Sequence, residues 1–423
     1  MPYTETKTTG YGSRLSSSFK SIGFGFILII IATVLLWRNE GNAVRTAHDI
    51  KEVGNNATHV DNIQTVAPEG KLIHANGIAK TGDILTDPEF KLSVNALCLE
   101  REVKYYQWVE HAKVTTRDKM GGSQEEETTY TYQCEWVNNP VESKDFHDPQ
   151  YRYINNNIAT PRIHERSVYA SNISFGAYRI PESFIKSVAH CASKEYPQLN
   201  IDPEILKSLN KSMGEAQSTG SRIKSNISKM FGSGNDSTSY EWVHVSGNEI
   251  YLGQSASSPN AGDMRIIFTA YQPSAEISLV AVVKGNSFTE YQTKNNNKTN
   301  YIMSGTKTLE EMMHSAEESN EMWTWGFRIL GVILVCLAFK MLFGFLVTLL
   351  KVVPFLASIL NWGISIICTI LGLVYSIIII AVAWIFYRPL LGACLIALAA
   401  GIAGGLIYWG ATRKKKETAT ESI

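Results

Sequence analysis

The residues of this chain best equipped for chemistry are nine histidines and six cysteines. Metal binding would need them spaced as CxxC, HExxH or a His/Cys cluster, and none of those spacings occurs. His164 and Glu165 are adjacent, but neighbours in a strand point to opposite faces and make a poor acid–base pair. Asp263 and Arg265 sit two apart, so in a strand they share a face, and an ion pair is expected rather than an acid–base couple. Cys98, Cys134 and Cys191 lie in the hydrophilic centre, and Cys336, Cys368 and Cys394 in apolar stretches. One pair among the first three could bridge in an oxidising compartment, but three buried thiols acting as small apolar residues is the favoured reading. Walker, GxSxG and GxGxxG patterns are absent. These residues give no catalytic, cofactor or metal site, and a non-enzyme is expected.

The elements that would position any site are set by hydrophobicity. Charged residues are only 18% of the chain, and the 39 Lys and Arg balance the 39 Asp and Glu. That neutrality argues against a nucleic-acid partner, which selects a basic excess. From Trp323 to Gly410 there are four basic residues (Arg328, Lys340, Lys351 and Arg388) and no acid. Such a stretch belongs in a bilayer. Four transmembrane helices are expected: 19–37, 323–345, 363–386 and 390–410. The first ends in Leu36-Trp37-Arg38 without a small-x-small cleavage site, so it reads as an uncleaved anchor. Residues 346–362, interrupted by Lys351 and Pro354, are expected to be interfacial or re-entrant. The tails at 1–18 and 411–423 are both basic, which places both termini in the cytoplasm.

Between the first two spans, residues 38–322 hold 28 basic and 36 acidic residues, a net of −8. They are expected to form a large β-rich domain with some helix on the non-cytoplasmic side, making the chain an α+β membrane protein. Strands are read at Lys71–Lys80, Phe90–Cys98, Glu102–His111 and Thr128–Val137. The last alternates Tyr130, Tyr132, Cys134 and Trp136 on one face. Short helices are expected at Pro181–His190 and Asp202–Leu209, and 211–240 reads as a mobile Ser/Gly/Asn/Lys-rich insertion. A closing meander is read at Glu249–Leu252, Asp263–Tyr271, Glu276–Lys284 and Ser287–Gln292, then a helix at Leu309–Met322. Tyr106-Gln107-Trp108-Val109-Glu110 would suit a ligand groove, although a strand with Tyr106 and Trp108 facing the core is favoured.

Four segments together carry a family resemblance. They are Leu36-Trp37-Arg38-Asn39-Glu40-Gly41 closing the first span, Tyr106–Glu110, Thr128–Tyr132 with Trp136, and Gly262-Asp263-Met264-Arg265-Ile266 ahead of a three-span block. In this order the chain resembles the transmembrane protein 43 family, also called LUMA. The resemblance implies four spans and a large lumenal or periplasmic domain. It implies nuclear-envelope and endoplasmic-reticulum residence for eukaryotic members, self-association, and organisation of complexes with emerin and lamins. For a bacterial member it implies the inner membrane with a periplasmic domain.

Ala393, Ala397, Gly401 and Gly405 recur every four residues along the fourth span. Small side chains at that spacing let helix backbones approach. No Asp, Glu or His lies within a span, so a proton relay has no members. The four basic residues near span ends are expected to snorkel. The expected function is a non-enzymatic scaffold that binds the lipid bilayer, other membrane or lumenal proteins, and a second copy of itself. A channel subunit built on Lys351 and Pro354 is the alternative, and a lumenal or periplasmic enzyme the least favoured.

Overall fold

The computed structural model describes residues 2–390, 392 and 394, apart from 62, 64–68, 157–160, 221–240, 351 and 353. In chain order the first elements are β1 (Tyr3–Thr9), α1 (Tyr11–Asn56), β2 (Thr58–Val60), β3 (Leu72–Thr81), β4 (Ile84–Thr86), β5 (Ser93–Asn95), β6 (Cys98–Asp118) and β7 (Gln124–Val137). Then come β8 (Arg166–Tyr169), β9 (Ile173–Phe175), β10 (Tyr178–Arg179), α2 (Glu182–His190), β11 (Lys194–Glu195) and α3 (Pro203–Gly220). The remainder are β12 (Val243–Ser246), β13 (Glu249–Leu252), β14 (Met264–Tyr271), β15 (Ser274–Lys284), β16 (Ser287–Thr289), β17 (Tyr291–Gln292), β18 (Lys298–Thr299), β19 (Tyr301–Ser304), α4 (Leu309–Leu350) and α5 (Pro354–Tyr387). The chain divides into two compact units, one of residues 1–6, 53–115 and 127–312, the other of 7–52, 116–126 and 313–423.

The first unit is built on two sheets. One runs β1-β7-β6-β14-β13-β12, with β8 on β6 and β11 on β14. The other runs β10-β9-β3-β15-β16, with β2 on β3 and β19 on β15. The closing strands are therefore not a simple meander. β13 and β14 are neighbours, but β14 pairs with β6 while β15 pairs with β3 over Ser274–Val282. The burial of β15 explains this. Ile277 through Ala281 are buried on both faces, as a central strand requires, whereas β14 alternates. Phe268, Phe90, Leu97, Leu99, Phe175, Tyr178 and Phe184 belong to the shared core.

Two local expectations are corrected. Phe90–Cys98 is not one strand, since Ser93–Asn95 is extended alone and Cys98 already opens β6. The Asp87 carboxylate accepts hydrogen bonds from the Glu89 and Phe90 amides, and this Asx turn bends the chain where hydrophobicity alone suggests a strand. The helix expected over Asp202–Leu209 runs on to Gly220, so the first part of the expected insertion is ordered. Ile205, Leu206 and Leu209 pack against the core and Met213 is buried, at the spacing of one helix face. The Asp202 carboxylate accepts from the Glu204 amide and caps the start. The rest of that expected insertion, 221–240, lies outside the described residues.

The second unit holds α1, α4 and α5, and all three are long and apolar enough to cross a membrane. They contain the expected spans 19–37, 323–345 and 363–386. The fourth expected span lies beyond the described residues save for Leu390, Gly392 and Cys394. The segment 346–362 is not separate. α4 continues to Leu350 and α5 begins at Pro354, where proline's fixed φ and missing N–H suit a first helical turn. Ala32, Leu36 and Val335 are fully buried between the helices, and the Thr33 and Tyr375 hydroxyls hydrogen-bond at 2.8 Å.

One contact departs from the expected separation of residues 1–18 and 38–322 across a membrane. Within the second unit Arg14 pairs with Asp118 at 2.7 Å and donates to the Gly122 carbonyl. The start of α1 and the turn joining β6 to β7 therefore meet. Tyr3–Thr9, expected as part of a tail, is an edge strand beside β7.

Glycine governs helix approach. A Cβ on Gly372 would stand 2.6 Å from the Cys336 sulfur and 3.0 Å from its Cα, and one on Gly331 would stand 2.4 Å from Leu36 Cδ2. Nothing lies within 4 Å of such an atom on Gly344. Gly372→Leu is expected to lower the thermal midpoint of the detergent-solubilised protein by several degrees, and Gly344→Leu to leave it nearly unchanged. Equal midpoints for the two variants would refute this packing.

Candidate functional site

The sequence motifs resolve into three hydrogen-bonded clusters. The first is in the helical unit. Trp37, Glu40 and Gly41 lie on α1, about one turn apart or less. Glu40 is fully buried and receives two hydrogen bonds from Arg328, Nε to Oε1 at 2.6 Å and a terminal nitrogen to Oε2 at 2.8 Å. Trp384 Nε1 donates to the same Oε2 at 2.7 Å. The guanidinium also lies over Trp325, 4.8 Å from the ring centroid, and over Trp384 at 5.5 Å. Trp37 packs against Phe386 and Tyr387, and Gly41 lets the Tyr387 ring approach where a Cβ would clash at 2.7 Å. Arg328, expected to snorkel, is instead the counter-ion that makes a buried glutamate tolerable. Asn39 donates to the Thr324 carbonyl and Asn320 to that of Ala43, so polar bonds flank the pair.

The second cluster lies on β6 and β7. Glu110 accepts the Tyr132 hydroxyl at 2.6 Å, the His147 amide at 2.7 Å and its Nδ1 at 2.9 Å. Burial opposes ionisation of Glu110, but these donors outweigh it and hold the carboxyl below its ordinary pKa. Burial and the Glu110 carboxylate push the Tyr132 phenol well above its own. Tyr132 stacks on Tyr151, and Tyr130 on His147. Trp108 meets the Tyr151 edge, while its backbone N–H and C=O are both bound by the Asn155 side chain. Gln107 is buried and accepts the Val141 amide. The favoured orientation is corrected, because Tyr105 and Gln107 are the buried residues and Tyr106 and Trp108 are half-buried; a cavity of about 580 Å³ is lined by Tyr105, Gln107, Val141, Asn155 and His164 among others. Trp108 is not among the residues lining it.

The third cluster corrects the expected Asp263–Arg265 pair. Asp263 lies just before β14, fully buried, and accepts from the Tyr251 hydroxyl and the Asn260 amide. Burial raises its pKa against those two bonds. Arg265 pairs with Glu249 at 3.3 Å and stands over the Trp136 ring, centroid distance 4.5 Å. Trp136 also packs on Tyr106 at 5.1 Å. Tyr106 closes a backbone pair with the Gly262–Asp263 turn, where Gly262 takes a φ of 101° that favours glycine. Gly253 stands where any Cβ would fall 2.3 Å from the Asp263 carboxyl carbon.

Sequence reasoning missed a histidine pair. β2 runs parallel to β3 with His59 opposite His74. Their Nδ1 atoms are 2.8 Å apart, and His74 Nε2 is 3.0 Å from the Lys307 carbonyl. A carbonyl only accepts, so His74 donates from Nε2 and its Nδ1 accepts a hydrogen bond from His59 Nδ1. Residues 59 and 74 share no motif, and only strand pairing reveals them. The thiols of Cys98, Cys134 and Cys191 are free, with burial pushing the first up to about 12 and the second to about 11. No group of three His, Cys, Asp or Glu able to hold a metal is found among the described residues.

The fold and clusters define an integral membrane protein with long apolar helices and a two-sheet domain inserted between the first two. The transmembrane protein 43 family model matches residues 105–389, and the chain belongs to that family. Similar relatives are transmembrane protein 43 of Homo sapiens, 24% identical over 92% of this chain and 90% of its own, and of Rattus norvegicus, 26% identical over 94% and 92%. The transmembrane protein 43 homolog of Drosophila melanogaster is 25% identical over 92% and 93%. No solved structure matches the chain.

Removing one partner of the buried pair should cost more than removing both. Arg328→Leu alone is expected to destabilise by about 3–5 kcal/mol, and Glu40→Leu with Arg328→Leu to recover much of that loss. Thermal melts of wild type and the two variants in one detergent measure it, and a double variant no more stable than Arg328→Leu would exclude the pairing.

His74 gives a pH dependence. Burial, then the neighbouring His59, lower its pKa from the ordinary 6.5, against the pull of the Lys307 carbonyl. As pH falls below 6.5 the unfolded chain takes up a proton that native His74 refuses, so stability is present above that pH and is lost in acid. Thermal midpoints of wild type should drop between about pH 6.5 and 5. In His74→Gln that drop should be smaller, and an identical slope would rule His74 out as its source.

Proposed function

We propose that this chain is a non-catalytic, membrane-anchored scaffold. Its long helices fix it in the bilayer, and its two-sheet domain and helix faces hold partner membrane proteins and further copies of itself. One observation carries this reading: the chemically capable side chains are spent on one another. Glu110 is closed by Tyr132 and His147, and Glu40 by Arg328 and Trp384. Such circuits rigidify a surface rather than present a free base or nucleophile to substrate.

The small-residue stripe of the fourth span, which lies outside the described residues, supports self-association through close backbone approach. Chemical crosslinking of the full chain in native membranes should trap oligomers. Gly401→Ile with Gly405→Ile should reduce them several-fold at equal expression. A wild type that crosslinks only as monomer and co-purifies with nothing in mild detergent would sink the scaffold reading.

A further inference from the structure

Where α1 passes beyond the Gly41–Tyr387 contact, a cavity of about 480 Å³ opens within the helical unit. One wall is a single face of α1: Val44, Ala47, His48 and Lys51 recur at the i, i+3, i+4, i+7 spacing. The other wall is the end of α5 and the short connector after it, Tyr387 through Leu390. The lining is mostly apolar, with Lys51, His48 and Arg388 supplying every charge or potential charge it has. No carboxylate lines it, and neither Lys51 nor Arg388 makes an ion pair among the described residues. Two buried acids lie on the same helix: Glu40, matched by Arg328, and Asp49, next to His48 in sequence but not part of the lining.

The level of the cavity matters. Val44 is seven residues past Trp37, about 10 Å along a helix. Trp37 packs at a tilt against Phe386 and Tyr387 in an aromatic layer of the kind found at the membrane–water boundary. Phe386 and Leu390 are 69% and 84% exposed beside it. Cations therefore stand at headgroup height over exposed apolar side chains. At the end of α5 the Arg388 amide donates to the Trp384 carbonyl, and the Gly392 amide to that of Arg388.

We propose that this cavity binds the phosphate of an anionic phospholipid headgroup, held by Lys51 and Arg388 with His48 as a further donor, its acyl chains lying along Val44, Ala47 and Leu390. The site does not depend on the scaffold reading; it needs only that the helices sit in a bilayer. A lipid, rather than a soluble phosphate, is selected because half of the recognition surface is apolar.

The test is native mass spectrometry of the full-length protein from nanodiscs of phosphatidylcholine with phosphatidylglycerol. Wild type should retain phosphatidylglycerol in preference to phosphatidylcholine. Lys51→Gln with Arg388→Gln should weaken retention roughly thirtyfold. Lys207→Gln with Lys284→Gln, the same charge change on exposed domain lysines, should leave it unchanged. Val44→Trp, which fills the cavity and keeps both cations, should also expel the lipid, so a folding defect in the first variant leaves the idea testable. Retention unaffected by either cavity variant overturns the proposal. So does displacement by millimolar inorganic phosphate, which would assign the site to a soluble anion.

Discussion

An ionised carboxylate fully removed from water must be met by a positive charge and by hydrogen bonds, or the helices carrying it separate. In this chain that requirement falls on Glu40, and its solution ties three helices at one level. α1 supplies the acid, α4 the arginine and α5 the indole donor. Each bond is directional, so the rotation of every helix about its axis is fixed as well as its depth. Gly331 and Gly372 then let the backbones close on that alignment, with Ala32, Leu36 and Val335 filling the remaining space. In a solvent of lipid tails there is no hydrophobic drive to bring helices together, and close packing and polar bonds must do so.

The same economy of polar groups recurs in the sheet domain with a different result. There the carboxylates face aromatic hydroxyls and imidazoles rather than arginine alone. Tyr132 donates to Glu110 and accepts from the Asp148 amide, so its ring is held by both roles of the hydroxyl and stacks on Tyr151 in a fixed position. Arg101 makes a two-nitrogen set of bonds to Asp87 and the His164 carbonyl while lying over Phe90. These clusters fix the side chains that make them on the sheets that carry them.

Much of this is legible in the residues. Hydropathy locates three described spans, and alternation locates β7 with Tyr130, Tyr132 and Trp136. Periodicity cannot give pairing at a distance. Glu40 and Arg328 stand 288 positions apart, and nothing local in Trp325–Arg328 separates a counter-ion from a snorkelling anchor. β6 runs past the strand that hydrophobicity marks because its last third, from His111 on, is exposed and polar, and polar strands carry no hydrophobic signal. The Asp87 turn is hidden for the opposite reason: Phe90, Leu92 and Leu97 are all buried, so a bent segment has the hydrophobicity of a strand. The Asp263–Arg265 pairing fails because the strand begins one residue later, at Met264, which removes the shared face.

The contact of Arg14 with Asp118 sets the last constraint. The ribbon that ends near Asp118 carries Lys113, Arg117 and Glu125 through Glu127, and its outer residues are largely exposed. Hydrocarbon around such a ribbon would cost roughly 2.5–3.5 kcal/mol for each charge at the bilayer centre. Its backbone edges would add unsatisfied N–H and C=O groups. A helix whose central stretch is apolar, by contrast, gains from that same environment. If α1 spans the bilayer, the start of α1 and the ribbon turn stand on opposite faces, and the Arg14–Asp118 bond has to open. Opening it gives up the Arg14 bonds to Asp118 and to the Gly122 carbonyl, which water must then replace. The cost of immersing the ribbon is large and grows with every charge. These terms favour hydrocarbon around the apolar stretch of α1 and water around the charged ribbon.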